Sequence, residues 1–424
     1  MSHFVIKCRE CGKELKDAYC AFCEHCKDAL LITQYKDEEF ENHSYEGIWR
    51  FNWLPVHSGG KRGGGFEQPG PIVYRSEGLA SRLELENLYI AFNGYWPEKD
   101  ALLETCTFKE FEAAVVLQNA RENGVEGLVV ASAGNTARAF CHLSHVSGFP
   151  VVIIVPRMCL KDMWYLENTG RVPTLALLDG DYADSIDVAR RTAGVLGIPF
   201  EGGVKNIAKR DGLGIVMLEA VSRIGRLPEY YFQAVGSGTG AIAAWEMAER
   251  FIETGRYGQK LPSLHLAQNL PFAPMARAWE QGKRELNPED LKPELIYLIT
   301  TRVLSTRYPA YGVKGGVFDA LRATGGKMYG VDNEDVFRAM NLWEQSEGID
   351  IVPASGVAVA ALQRAAKNGG LPKDALILLN ITGGGEKRLR KDKKTHEVKP
   401  VYITKNISLE EMEGLLCRTL KRAS

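Results

Sequence analysis

Short apolar runs that alternate with helical stretches place the tightest limit on what this chain can become. GLVVAS (127–132), VVIIVP (151–156) and TLALLDG (174–180) have the length and aliphatic content of strands buried on both faces of a parallel sheet. Each is followed by a stretch that reads as helix: NTARAFCHLSHV (135–146), LKDMWYLENT (160–169) and DYADSIDVARRTAGVLG (181–197). The repeat is βαβαβα at a spacing of roughly 25 residues with short connections. A second series runs YYFQAV, GSGTG, AIAAWEMAERFIETG and LHLAQN, and LILLNI (376–381) leads straight into TGGG. The expectation is an α/β chain with two parallel-sheet lobes, a large one from 46–109 and 201–405 and a small one from 110–200. A Cys-rich module (1–45) precedes them and a helical tail (406–424) follows. In such sheets ligands bind outside the carboxyl ends of the strands, where the loops between these runs fall.

Composition narrows the function. With 45% hydrophobic and 25% charged residues, disordered and fibrous classes are excluded. A formal charge of -1, from 52 basic and 53 acidic residues, gives no global field to recruit nucleic acid or an anionic membrane. No run approaches the roughly 20 apolar residues of a membrane span. The start, MSHFVIKCRECGKE, lacks the apolar core of a secretion signal, so a cytoplasmic protein is expected. KDEEFENHSYEG (36–47) reads as a linker, and HSGGKRGGGFEQPGP (57–71) is too rich in Gly and Pro for helix or regular strand.

Three loops and one lysine carry the chemistry. GSGTG, Gly236, Ser237, Gly238, Thr239 and Gly240, lies between a strand and a helix, where converging backbone N–H groups and the helix dipole make a phosphate cradle. With Ala241 it also fits a dinucleotide fingerprint, but Gln268 and Asn269 stand where a ribose-binding acid is needed, which favours a phosphate monoester. SAGNTA (132–137) offers Ser132, Asn135 and Thr136 as small polar groups for a carboxylate and a ring oxygen, or simply as helix caps. TGGG places Thr382 after the last strand, able to turn a hydroxyl to a buried heteroatom, though it could be only a turn. Lys109 sits at the start of a helical stretch, where the dipole disfavours a cation and promotes a neutral nucleophilic amine, while Glu110 and Glu112 oppose that effect.

In this order, SAGNTA, strand-GSGTG, strand-TGGG and the F-K-E around Lys109 resemble the fold-type II pyridoxal-phosphate enzymes of the threonine-synthase family (tryptophan synthase beta-like). IWRFNWLPV (48–56) is similar to the tryptophan-arginine segment before the core of threonine synthases. The resemblance implies that Lys109 is the Schiff-base lysine, that Asn135 meets the cofactor's ring hydroxyl, that Thr382 meets the pyridine nitrogen and that the Gly236–Gly240 loop holds the phosphate. Ser132 and Thr136 would face substrate.

Two segments depart from the family. Where threonine synthases read T-G-S-F-K-D-R-G, this chain reads ETCTFKEFE, and QPGPIVYRS replaces E-G-x-T-P-L. The cofactor apparatus is kept and the substrate side is rewritten. That pattern resembles the branch that joins O-phosphoserine to sulfite in coenzyme M biosynthesis, releasing phosphate, and implies a homo-oligomer, dimer or trimer. Threonine synthase acting on O-phosphohomoserine, a sulfide-using relative and a non-catalytic cofactor or nucleotide sensor are the alternatives. Lys205, Lys209, Arg210, Arg307 and Lys314 are undifferentiated candidates for binding the substrate anions.

Cys8-x-x-Cys11 and Cys23-x-x-Cys26, with Cys20 to spare, have two-knuckle spacing suited to a closed, structural tetrahedral zinc. Reduced thiols in a metal-free arm are the alternative. The basic run KRLRKDKKTHEVK (387–399) reads as a solvated loop, with a place at the mouth of the site as the second reading.

Overall fold

A computed structural model describes residues 3–16, 19, 22–26, 28–36, 39–40, 47–57, 67–132, 134–166 and 172–423, with side chains to 417. Cys20, most of the 36–47 linker and residues 58–66 of the Gly-rich loop lie outside the described residues.

Two sheets form the frame. The larger has the order Lys327–Val331, Ser263–Asn269, Tyr230–Ala234, Leu376–Ile381, Asn87–Phe92 and Ile72–Arg75, parallel throughout except for the last strand. The smaller is wholly parallel, in the order Val401–Ile403, Thr174–Leu177, Val151–Pro156 and Leu128–Ala131. LILLNI, VVIIVP, TLAL and LVVA are buried at every position, as strands covered by helices on both faces must be. The fold class expected from the sequence is the one observed.

Two sequence expectations fail. LKDMWYLENT forms no helix over its described part: 3-10 turns at Arg157–Asp162 lead into a short strand, Trp164–Leu166, antiparallel to Thr395–Glu397. Trp164 is buried there beneath the Arg138 guanidinium, 4.4 Å from its ring centroid, an anchor that helical periodicity could not register. Val401–Ile403, assigned from sequence to the large lobe, instead pairs in parallel with Thr174–Leu177 as an edge strand of the small sheet. The pattern of three residues carries too little signal to choose a sheet.

Local signals did fix other boundaries. Asp181 caps the Tyr182–Leu196 helix, accepting from the N–H groups of Ala183 and Asp184, and the Asp184 side chain accepts from Asp181 N in return. Gly197 closes that helix in the left-handed conformation. The Lys109–Glu122 helix is different, because it is buried continuously from Glu110 to Ala120 and packs against the helices Asn135–Ser147 and Ile207–Ile224. A helix covered on all sides holds its first residue firmly.

The N-terminal module is a three-stranded antiparallel sheet in the order Glu14–Leu15, Phe4–Cys8, Leu31–Tyr35. It docks through Arg9, whose guanidinium lies 4.2 Å from the Trp245 ring centroid and pairs with Glu249 at 2.6 Å.

Candidate active site

A cavity of about 520 Å³ lies at the carboxyl ends of the strands, and Lys109, Ser132, Asn135, Thr136, the Gly236–Gly240 loop and Thr382 all line it. Four separate stretches of sequence thus converge on one space.

The Gly-rich loop connects the Tyr230–Ala234 strand to the Thr239–Glu253 helix. Gly238 takes φ +85°, and a Cβ there would stand 2.2 Å from Val317 Cγ2. A Cβ on Gly236 would meet the backbone of Leu304 at 2.9 Å, and one on Gly240 the Gln233 amide nitrogen at 2.7 Å. Glycine is therefore required by both conformation and space. Ser237 and Thr239 share a hydrogen bond of 2.7 Å between their hydroxyls at the N-terminus of a 15-residue helix, which supplies polar groups and a positive dipole end for an anion.

Ser132 braces the helix start without holding its cap position, which is Gly134: its Oγ accepts from Gly134 N at 3.1 Å and from Ala137 N in the first turn at 2.8 Å. Asn135 and Thr136 open that helix beside the cavity. Thr136 donates to Glu112 Oε1 at 2.8 Å. Thr382 is buried, and its carbonyl accepts from Phe108 N at 3.1 Å, tying the last strand's loop to the residue before the lysine.

Lys109 is the first residue of its helix, and its Nζ donates to Glu112 Oε2 at 2.8 Å. Burial pushes its ammonium below the ordinary lysine range, Glu112 opposes that shift, and Lys209 adds to it. Of the two glutamates, only Glu112 reaches the lysine. Glu110 turns away to accept from Gln68 Nε2 at 2.9 Å and Thr105 Oγ1 at 2.7 Å.

Sequence reasoning missed the roles of Glu112, Glu201 and Gln233. Lys209 Nζ lies 3.2 Å from Glu112 Oε1 and 3.2 Å from Glu201 Oε2, so two ammonium groups and two carboxylates alternate in one chain, with Lys109, Lys209 and Glu201 lining the cavity and Glu112 behind them. Beneath them, Gln233 Oε1 accepts from Tyr231 OH at 2.6 Å and Asn380 Nδ2 at 3.1 Å. Burial among polar partners was the missing signal, and it exists only once the segments meet.

Among the five basic candidates, Lys205, Lys209 and Arg307 line the cavity, whereas Arg210 and Lys314 do not. Arg307 reaches across to Asp181, donating from Nε at 2.6 Å. The basic run is the Glu386–Asp392 helix and the following strand, outside the cavity lining. Its Lys387 pairs with Glu344 and its Arg388 with Glu98, each at 2.8 Å, as a solvated face would. A place at the mouth of the site finds no support.

Residues 77–383 match the family model described as pyridoxal-phosphate dependent enzyme. The cysteate synthase of Methanocella paludicola is 46% identical over 408 residues, covering 94% of both chains. That of Methanosarcina barkeri is also 46% identical, over 97% of this chain and all of the relative. The chain belongs to the cysteate synthase family of pyridoxal-phosphate dependent enzymes. Maize serine racemase superposes with a TM-score of 0.56 at 15% identity, over 76% of this chain and 91% of that one. A pyridoxal 5'-phosphate-dependent aspartate racemase gives 0.56 at 17% identity, over 74% of this chain and 90% of that one. At such identities these two establish the fold alone, which is that of the fold-type II enzymes. The chain is an enzyme, and its cofactor is pyridoxal phosphate. Within the cysteate synthase family the glycine cradle and the partly buried lysine of this cavity fit that group, which needs a phosphate site and an amine within reach of each other.

Proposed function

We propose that the chain catalyses β-replacement on O-phospho-L-serine with sulfite, giving L-cysteate and phosphate. Kinship with cysteate synthases over nearly the full length carries this reading, and the convergence of the cofactor loops on Lys109 supports it. Lys109 would hold the cofactor, the Gly236–Gly240 loop its phosphate, Asn135 its ring hydroxyl and Thr382 its ring nitrogen. When bound, the cofactor supplies an electron sink for the substrate Cα. Lys109 would take the substrate Cα proton and later return it. Ser132, Thr136, Lys205 and Arg307 line the cavity, where the first two would border the substrate and the last two would meet its anions.

Phosphate release tests the reaction. Purified protein with O-phosphoserine and sulfite should release phosphate and form cysteate, at a rate far above that with O-phosphohomoserine. Preference for phosphohomoserine with production of threonine would overturn the assignment. A Gly238→Ala variant should retain cofactor at least about tenfold less well, because a methyl group there meets Val317 in a backbone conformation that costs about 1 kcal/mol or more for alanine. Equilibrium dialysis of pyridoxal phosphate measures it.

The N-terminal cysteines would hold a structural zinc. Cys8, Cys11, Cys23 and Cys26 offer sulfurs all within 4.8 Å of one another. Tetrahedral zinc with Zn–S of about 2.3 Å needs them roughly 3.8 Å apart, so little adjustment is required. One zinc per chain is expected by atomic emission in protein purified without chelator, and Cys11→Ser should lose it. Metal-free protein of full stability would remove the zinc reading.

A further inference from the structure

The rewritten neighbourhood of the lysine contains a carboxylate, Glu112, one helical turn from Lys109 and packed behind the residues that line the cavity. Its side chain is fully buried. A buried carboxylate is retained only where cations or donors compensate it, and here they come from three helices. Lys109 Nζ holds Oε2 at 2.8 Å from Glu112's own helix. Lys209 Nζ, from the Ile207–Ile224 helix, stands 3.2 Å from Oε1, and Thr136 Oγ1, from the Asn135–Ser147 helix, donates to Oε1 at 2.8 Å. The two carboxylate oxygens are therefore divided, one for the reactive lysine and one for a fixed pair of partners.

Building on the reading of Lys109 as the lysine that carries the cofactor, we propose that Glu112 is a positioning residue for its amine. Glu112 holds Nζ whenever the lysine is released, and rests on Lys209 and Thr136 when the lysine is covalently occupied. The arrangement suits a lysine that must leave a bond, act as base and return. During turnover the Lys109 lone pair takes the Cα proton of the substrate and the C–H electron pair stays with carbon. The ammonium so formed is caught by Glu112. The same proton then goes back to Cα of the product, leaving lysine and glutamate as they began.

Charge sets the direction of the effects. Glu112 faces Lys109 on its own helix, Lys209 on the neighbouring one, Glu201 through Lys209, and Tyr182 on the helix capped by Asp181. Burial alone would raise the Glu112 carboxyl, but the two ammonium groups hold it below the ordinary range. For Lys109, burial lowers the ammonium, Glu112 raises it and Lys209 lowers it further. Removing Glu112 should make Lys109 lose its proton at lower pH, and removing Lys209 should do the opposite.

Recombination of cofactor-stripped, full-length protein with pyridoxal phosphate gives the readout, because only the neutral Lys109 amine attacks the aldehyde. The rate is followed by visible absorbance across pH, with no substrate present. Glu112→Gln should move the midpoint of the rate profile down by about one pH unit or more, Lys209→Met should move it up, and Glu112→Asp should restore it to near the wild-type position. Should Glu112→Gln fail to fold with Lys209 left facing Glu201 alone, the double variant Glu112→Gln with Lys209→Met, whose midpoint should lie below that of Lys209→Met, decides the matter. An unmoved midpoint in folded Glu112→Gln, or in the double variant relative to Lys209→Met, overturns the inference while leaving the reaction assignment standing. Recombination in Lys109→Ala would instead overturn the choice of lysine, and the role of Glu112 with it.

Discussion

Replacing Lys109 by alanine should remove the visible absorbance of the bound cofactor and lower turnover at least about a thousandfold, while leaving the protein folded. Both losses follow from the proposed double use of one amine, as attachment point and as base. Retention of the fold follows from the neighbours: Glu112 keeps Lys209 at 3.2 Å and the Thr136 hydroxyl at 2.8 Å, so the truncated site contains no orphaned carboxylate. Thermal unfolding and far-UV circular dichroism should match the wild type closely. Lys209 is the rival amine, since it also lines the cavity. A visible band that survives in Lys109→Ala and disappears in Lys209→Met would transfer the attachment to Lys209. The expected result is the reverse, because Lys209 is gripped between two carboxylates that keep it charged, well above the ordinary lysine range. Lys109 has one carboxylate and a depressed ammonium.

The contrast between those lysines marks the limit of what the sequence could convey. GSGTG, SAGNTA and TGGG were legible because each follows a strand whose pattern is unmistakable, and parallel α/β topology delivers such loops to the same edge. The resemblance around F-K-E picked out Lys109, and its expected place at a helix start is where the structure has it, on the cavity lining. Lys209 stood among five basic residues with nothing to separate it. What distinguishes it is the approach of Glu112, 97 positions earlier in the chain, and Glu201. Pairings of that range depend on how helices cross, and no local period encodes them. The same holds for Val401–Ile403, which has the length of a loop and becomes a strand only because the edge of Thr174–Leu177 is open to it.

Arg210→Met should be the most destabilising single change outside the cavity, by roughly 3–5 kcal/mol. The guanidinium is 1% exposed, and its Nε donates to both oxygens of Glu246, at 3.0 and 3.2 Å. Its two terminal nitrogens donate to the carbonyls of Val204 and Leu31. One side chain thus joins the cavity wall at Val204, the N-terminal module at Leu31 and the helix that begins at the Gly-rich loop. Methionine fills much of the space but leaves Glu246 facing Arg9 at 3.7 Å and the charge of Arg250, with no direct partner as near as Arg210 among the described residues, and strands two carbonyls. The cost comes from the uncompensated carboxylate more than from the lost contact, so a double variant, Arg210→Met with Glu246→Gln, should recover part of the stability. Thermal midpoints of the two single variants and the double decide it, and simple additivity would show that the pair does not act as a unit. Cofactor affinity should fall with Arg210→Met as well, although the arginine lies outside the cavity. Val204 and Leu30 both border the cavity, and each is fixed by a neighbour of Arg210's network: Val204 by the guanidinium itself, Leu30 by adjacency to Leu31. The Cys-rich module is then more than an appendage, because the segment that follows its knuckles borders the cavity through Leu30, just before the Leu31–Tyr35 strand, and braces it through the Leu31 carbonyl.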